Sequence, residues 1–189
     1  EIGRYCGATA LTWNMHVCSC LWSGPLSDDL DMDEETRATH LRRRARHYER
    51  IVKDGAIFGW AKIERIVKDG AIFAQPFSEG GAAAAGVVPF STSAKRVDGG
   101  WVINGKKIFA SLSGSADYYG VLCGEMKPGE RPSRKDTMYI AVPATAEGVE
   151  VVGDWDPLGM RGTVSRTLLL KDVFVEDDQA LMPRGVYYQ

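Results

Sequence analysis

The chain has 189 residues; 44% are hydrophobic and 10% aromatic, and 23 Lys+Arg against 25 Asp+Glu leave a formal charge of −2. No basic excess asks for a nucleic-acid backbone, and the apolar content suffices for a core, which excludes wholesale disorder. Nowhere do about 18 apolar residues run without interruption, as a membrane-spanning helix requires, so the sequence predicts no membrane span.

Ala8, Leu11, Met15, Cys18 and Trp22 recur at steps of three and four, which predicts a helix with one apolar face, ended by Ser23-Gly24-Pro25. An acid block (Asp28, Asp29, Asp31, Asp33, Glu34, Glu35) then precedes a base block (Arg37, Arg42, Arg43, Arg44, Arg46, Arg50). Acids early and bases late suit the dipole of a second, solvated helix. Residues 49–58 and 64–73 are both ERIVKDGAIF. Identity that close reads as a recent duplication rather than an aged repeat, and two copies are too few for a solenoid. The first copy continues into GWAKIERIV, as helix, and the second into AQPFSEGG, a loop, so context overrides local propensity in at least one of them.

Cys6, Cys18, Cys20 and Cys123 include no spaced CxxC pairs, which fits a reduced, cytoplasmic setting better than a disulfide framework. The first residue is Glu rather than Met, and the sequence reads as part of a longer chain.

Beyond Gly86 the texture changes. Short apolar or alternating runs, VVPFSTSAKRV, WVIN, KKIFAS, DYYGVLC, TMYIAV, VEVV and TLLLKDVFV, are separated by DGG, NGK, KPGERPSRKD, PATAEG and DPLGMRG. These predict strands joined by turns. The expected fold class is therefore α+β: a partial helical domain over residues 1–72, then an antiparallel β-barrel or sandwich over 73–189. Between residues 74 and 182 no helix should exceed about two turns.

Several chemistries find no support. The loop Ser78–Gly86 is rich in Gly and Ala, so backbone amides there can approach a phosphate, yet no Walker lysine follows and no GxGxxG follows a strand. His16, His40 and His47 lack metal spacing with Cys or carboxylates, so no metal site is expected. No GxSxG elbow is present.

Three blocks in fixed order carry a resemblance: Phe77-Ser78-Glu79-Gly80-Gly81, then Asn104–Ser111 (NGKKIFAS) with Ala116-Asp117, then Leu158–Thr163 (LGMRGT) followed by Lys171–Val175 (KDVFV). Together they resemble the middle β-domain of the acyl-CoA dehydrogenase family, and EIGRYCGATALTWNMHVCS resembles the helical domain that precedes it. The resemblance implies FAD as cofactor. It places Phe77 and Ser78 beside the isoalloxazine, Ala83 and Ala84 at the pyrophosphate, Phe109 behind the flavin ring and Ser111 near its reactive nitrogen. Relatives commonly have Gly-Ser where Ala83-Ala84 stand, so pyrophosphate binding here would rest on backbone amides. Leu11, Asn14 and Cys18 match positions that face the acyl chain.

The implied reaction is α,β-dehydrogenation of an acyl-CoA thioester, in which a Glu takes the α proton while the β hydrogen leaves as hydride. The resemblance further implies an electron-accepting flavoprotein partner and a homo-oligomer. Glu79 belongs to the loop motif and is not read as the base. The family's catalytic Glu comes from a C-terminal helical domain, so the 189 residues alone are expected to be inactive. Two alternatives stay open: a monooxygenase of the same fold that uses reduced flavin and oxygen, and a β-domain that binds no flavin.

Overall fold

In a computed structural model the chain is described over residues 72–83, 86–130, 132–182 and 184–188, and, nearer the start, over 31–39 and positions 6, 10 and 41. Residues 34–39, from the end of the acid block into the start of the base block, are helical. Asp33 caps them: its carboxylate accepts from the Thr36 N–H (2.7 Å) and hydroxyl (2.8 Å), and its carbonyl accepts from Arg37 N–H (2.9 Å). Those bonds from Thr36 hold the Asp33 carboxyl below its ordinary value. Ala10 is helical, with its N–H bonded to the Cys6 carbonyl. The rest of the helix expected from Ala8 to Trp22, most of the base block and the first copy of the duplication lie outside the described residues.

The β-rich part forms one eight-stranded sheet. Its strands are β1 (Phe73–Ala74), β2 (Ser93–Val97), β3 (Gly100–Ala110), β4 (Tyr118–Met126), β5 (Thr137–Pro143), β6 (Val149–Val152), β7 (Arg166–Glu176) and β8 (Ala180–Met182). The order is β6-β7-β3-β2-β4-β5-β8, with β1 also against β4. Among the described residues from 72 onward, the only helical elements between the strands are short 3-10 turns. The end of the second duplicate copy, Ile72-Phe73, runs into β1.

Most pairings are antiparallel, as the short strands and tight turns predict, but β4 pairs in parallel with both β1 and β2. The cause is topological. β3 and β4 run in opposite directions, as in a hairpin, and β2 lies between them: antiparallel to β3, it must be parallel to β4.

Alternation along β4 and β5 buries both faces. Tyr119, Val121 and Cys123 with Met138, Ile140 and Val142 enter one core, whereas Leu122 with Tyr139 and Ala141 enters a second. The sheet curls, so Leu168 and Val173 of β7 share the first core with Ile140, although β3, β2 and β4 intervene. On β7 the inward phase changes from Leu168 and Leu170 to Val173 and Val175 across a bulge at Asp172 (φ 52°). Asn104 pins that bulge: its Oδ1 accepts from Asp172 N–H and its Nδ2 donates to the Asp172 carboxylate, both at 2.9 Å.

Candidate flavin site

Glu79 is a structural anchor. Its carboxylate accepts from the Ser91 N–H and hydroxyl (both 2.6 Å), from the Thr92 N–H (2.9 Å) and hydroxyl (2.5 Å), and from Lys107 Nζ (2.7 Å). Lys107, fully buried on β3, also donates to the Leu122 carbonyl (2.6 Å) and lies 4.4 Å from the centre of the Phe90 ring. Burial pushes the Glu79 carboxyl up, but the Lys107 charge and the hydrogen bonds from Lys107, Ser91 and Thr92 outweigh it and hold the group at about 2. Burial pulls the Lys107 ammonium below its ordinary range, with Glu79 opposing that shift. A carboxylate so occupied is a poor proton acceptor.

This anchor fixes the loop before it. The Ser78 carbonyl accepts from Ile108 N–H (2.8 Å), which lays residues 77–79 along β3, and the partly exposed Ser78 hydroxyl accepts weakly from Gly80 N–H (3.4 Å). The half-buried Phe77 ring packs edge-on against Tyr139 and Tyr187, at 5.9 and 6.2 Å. Ala83 is buried, and its carbonyl accepts from Gly86 N–H (2.9 Å) and the Tyr188 hydroxyl (3.4 Å). Gly81 and Ala82 are exposed, and a Cβ on Gly81 would meet nothing within 4 Å. Ala84, Leu11, Asn14 and Cys18 lie outside the described residues.

At the end of β3, Phe109 is 56% exposed and meets Trp155 edge-on at 5.9 Å. The loop that carries Trp155 closes on itself: the Met160 carbonyl accepts from Trp155 Nε1–H (3.1 Å), Thr163 N–H (3.0 Å) and the Thr163 hydroxyl (2.9 Å). It is stitched to the turn after β3 by Leu112 N–H to the Thr163 carbonyl (2.8 Å) and Ser113 N–H to the Val164 carbonyl (3.2 Å). Beneath lies a run of buried hydroxyls, Ser111 Oγ to Ser165 Oγ and Ser165 Oγ to Thr163 Oγ1, each 2.7 Å.

Backbone strain concentrates at the same spot. Phe109, Leu112, Met160 and Val164 all have left-handed φ, between 44° and 65°. For a β-branched residue such as Val164 that conformation is a true outlier, and clusters of such residues are characteristic of functional sites.

The structure thus brings Phe109 and Ser111 together with Trp155, Met160, Thr163 and Ser165, and keeps Phe77, Ser78 and Ala83 on the neighbouring loop. The sequence reading noted LGMRGT as a block but gave Thr163 no role, and it missed Trp155 and Ser165. The one local signal is the Trp155-Asp156-Pro157 stretch that directly precedes that block.

Comparison with known proteins agrees with this fold. The family model described as acyl-CoA dehydrogenase, middle domain, matches residues 77–173, about half the chain. The oxygenase component of an FADH(2)-dependent resorcinol hydroxylase from Rhizobium sp. (strain MTP-10005) is 36% identical over 88 residues, 47% of this chain and 20% of that protein. The acyl-CoA dehydrogenase FadE34 of Mycobacterium tuberculosis is 31% identical over 107 residues, 57% of this chain and 14% of that protein. Among solved structures, FMN-bound TdsC from Paenibacillus sp. A11-2 superposes with a TM-score of 0.55 at 31% identity, over 64% of this chain and 29% of that one. The chain spans about a fifth or less of the length of these curated relatives. It belongs to the acyl-CoA dehydrogenase family of flavin oxidoreductases, whose middle domain it carries.

Proposed function

We propose that this chain carries the flavin-facing part of an enzyme that dehydrogenates an acyl-CoA thioester between its α and β carbons, with FAD as cofactor. The observation that carries this reading is the exposed Phe109 ring, edge-on to a half-buried Trp155, at the strand end that also bears the Ser111–Ser165–Thr163 hydroxyls. The residues fit the group: a planar apolar ring finds an aromatic wall at Phe109, a hydroxyl oxygen two residues on, and open backbone at Gly81 and Ala82 for a phosphate. When bound, the flavin supplies the hydride acceptor that no side chain can provide.

The chain's own residues bind and orient. Phe109 and Trp155 exclude water from one side of the ring, Ser111 offers its oxygen, and the Glu79–Lys107 anchor fixes the loop beside them. Two carboxylates near this region are already committed: Glu79 is held by Lys107, Ser91 and Thr92, and Asp172 is bound by Asn104. On this reading the proton acceptor is a Glu outside these elements, and residues 1–189 alone do not turn over acyl-CoA. The reading also takes residue 73, the first of β1, as the start of the β-domain, and implies a cytoplasmic homo-oligomer served by an electron-accepting flavoprotein.

A second reading, hydroxylation by reduced flavin and oxygen, draws support from the 36% identity to the resorcinol hydroxylase component, against 31% to the acyl-CoA dehydrogenase. One experiment separates the two. The natural protein, expressed from its complete reading frame, is loaded with FAD and mixed anaerobically with straight and branched acyl-CoAs; bleaching of the flavin band supports dehydrogenation. Absence of bleaching, with oxygen consumed and a phenol hydroxylated when reduced flavin is supplied, would replace the first reading by the second.

A further inference from the structure

The three buried hydroxyls have a fixed direction. The Met160 carbonyl can only accept, so the Thr163 hydroxyl donates its proton there (2.9 Å). Thr163 Oγ1 is then only an acceptor toward Ser165 (2.7 Å), so Ser165 donates to it. Ser165 has no second proton, so across the remaining 2.7 Å contact Ser111 is the donor. Running the chain backwards would give up the Thr163–Met160 bond, leaving two hydrogen bonds where the forward order makes three. The Met160 carbonyl is itself held in place by the Trp155 and Thr163 N–H groups.

From this order we infer that Thr163 and Ser165 are positioning residues that make Ser111 a hydrogen-bond acceptor toward the flavin, so that the site favours reduced over oxidised flavin. The inference rests on the proposed flavin site. Its chemistry is simple: the reactive ring nitrogen of an oxidised flavin is an acceptor, whereas in the reduced flavin it carries an N–H. With its own proton committed to Ser165, the Ser111 oxygen complements the N–H and opposes the bare nitrogen. A merely structural role for Thr163 and Ser165 would affect both forms alike.

The test is the ratio of two dissociation constants, for oxidised FAD and for dithionite-reduced FAD, measured anaerobically on the natural protein from its complete reading frame. One hydrogen bond corresponds to a preference for reduced FAD of roughly two- to tenfold. Ser165→Ala frees the Ser111 proton and should bring the ratio to about one or below. Thr163→Val removes the anchor at Met160 and should do the same, whereas Thr163→Ser keeps the donor and should retain the preference. If Phe109→Ala weakens binding of both forms but the ratio is unchanged in Ser165→Ala and Thr163→Val, the directional role is wrong and the flavin site stands. If neither form of FAD binds, or binding ignores Phe109→Ala and Ser111→Ala, the site assignment falls and this inference falls with it.

Discussion

Lys107 and Glu79 face each other at 2.7 Å in the interior, one from the middle of β3 and the other from the loop that precedes β2. Every donor on Nζ is placed toward an oxygen or over the Phe90 ring, and the Glu79 oxygens collect five donors. A buried pair of this kind contributes little over an apolar replacement of both partners, but removing one leaves a charge without compensation. Lys107→Met should therefore destabilise the protein by about 3–5 kcal/mol, read as a lower urea midpoint at pH 7. The double variant Lys107→Met/Glu79→Leu should recover part of that loss. No recovery would mean that the hydrogen bonds to Ser91 and Thr92, rather than the charge pair, dominate.

The same pair sets an acid response. Because the folded Glu79 carboxyl sits at about 2, below its ordinary value of 4.5, the folded state binds fewer protons than the unfolded chain in that interval. Its contribution to stability is complete above about pH 4.5 and is lost as the pH falls toward 2. Urea midpoints should decline over this window in the wild type and decline less in Glu79→Gln, which has no carboxyl there to titrate.

Gly105 leaves room for Thr92, which in turn holds Glu79. A Cβ at position 105 would stand 2.5 Å from Thr92 Oγ1 and 2.7 Å from its Cβ, so more than a side-chain tip has to move. Gly105→Ala is expected to cost about 1–3 kcal/mol, as overpacking does, and to blunt the acid response of Glu79 by loosening its Thr92 donor. Unfolding curves at pH 7 and pH 4 check both effects.

At the candidate site, Phe109→Ala and Trp155→Ala should each reduce FAD retention more than Ser111→Ala does. The aromatic pair offers ring surface in addition to contact geometry, whereas one hydrogen bond is worth about 0.5–1.5 kcal/mol net. Flavin content after gel filtration, compared at equal protein concentration, gives the ranking. Retention unaffected by all three changes would remove the site from this end of the sheet.

Cys123 provides a control on the core. It is wholly buried on β4, and burial pushes its thiol up to about 12. Native protein treated with iodoacetamide at pH 8 should show no alkylation at Cys123 by peptide mapping, with reaction appearing once urea unfolds the chain.

The strand segments and turns were legible in the sequence because their signal is local. Alternation in TMYIAV and VEVV, with the Asp98-Gly99 turn between β2 and β3, needs only a few neighbouring residues to be read. The insertion of β2 between β3 and β4, and the parallel pairings that follow from it, were not legible, since a strand's partners depend on distant segments. The candidate site divides in the same way. Phe109 and Ser111 stood in a recognisable block, yet Ser165 lies 54 residues from Ser111, and Lys107 lies 28 from Glu79. Nothing near either partner in the chain announces the contact. Composition and periodicity determined that residues beyond 86 would form a strand-rich core. Tertiary structure alone decided which hydroxyl meets which and in which direction their protons run, because hydrogen bonds of about 3 Å are set by the three-dimensional approach of groups that the sequence keeps far apart.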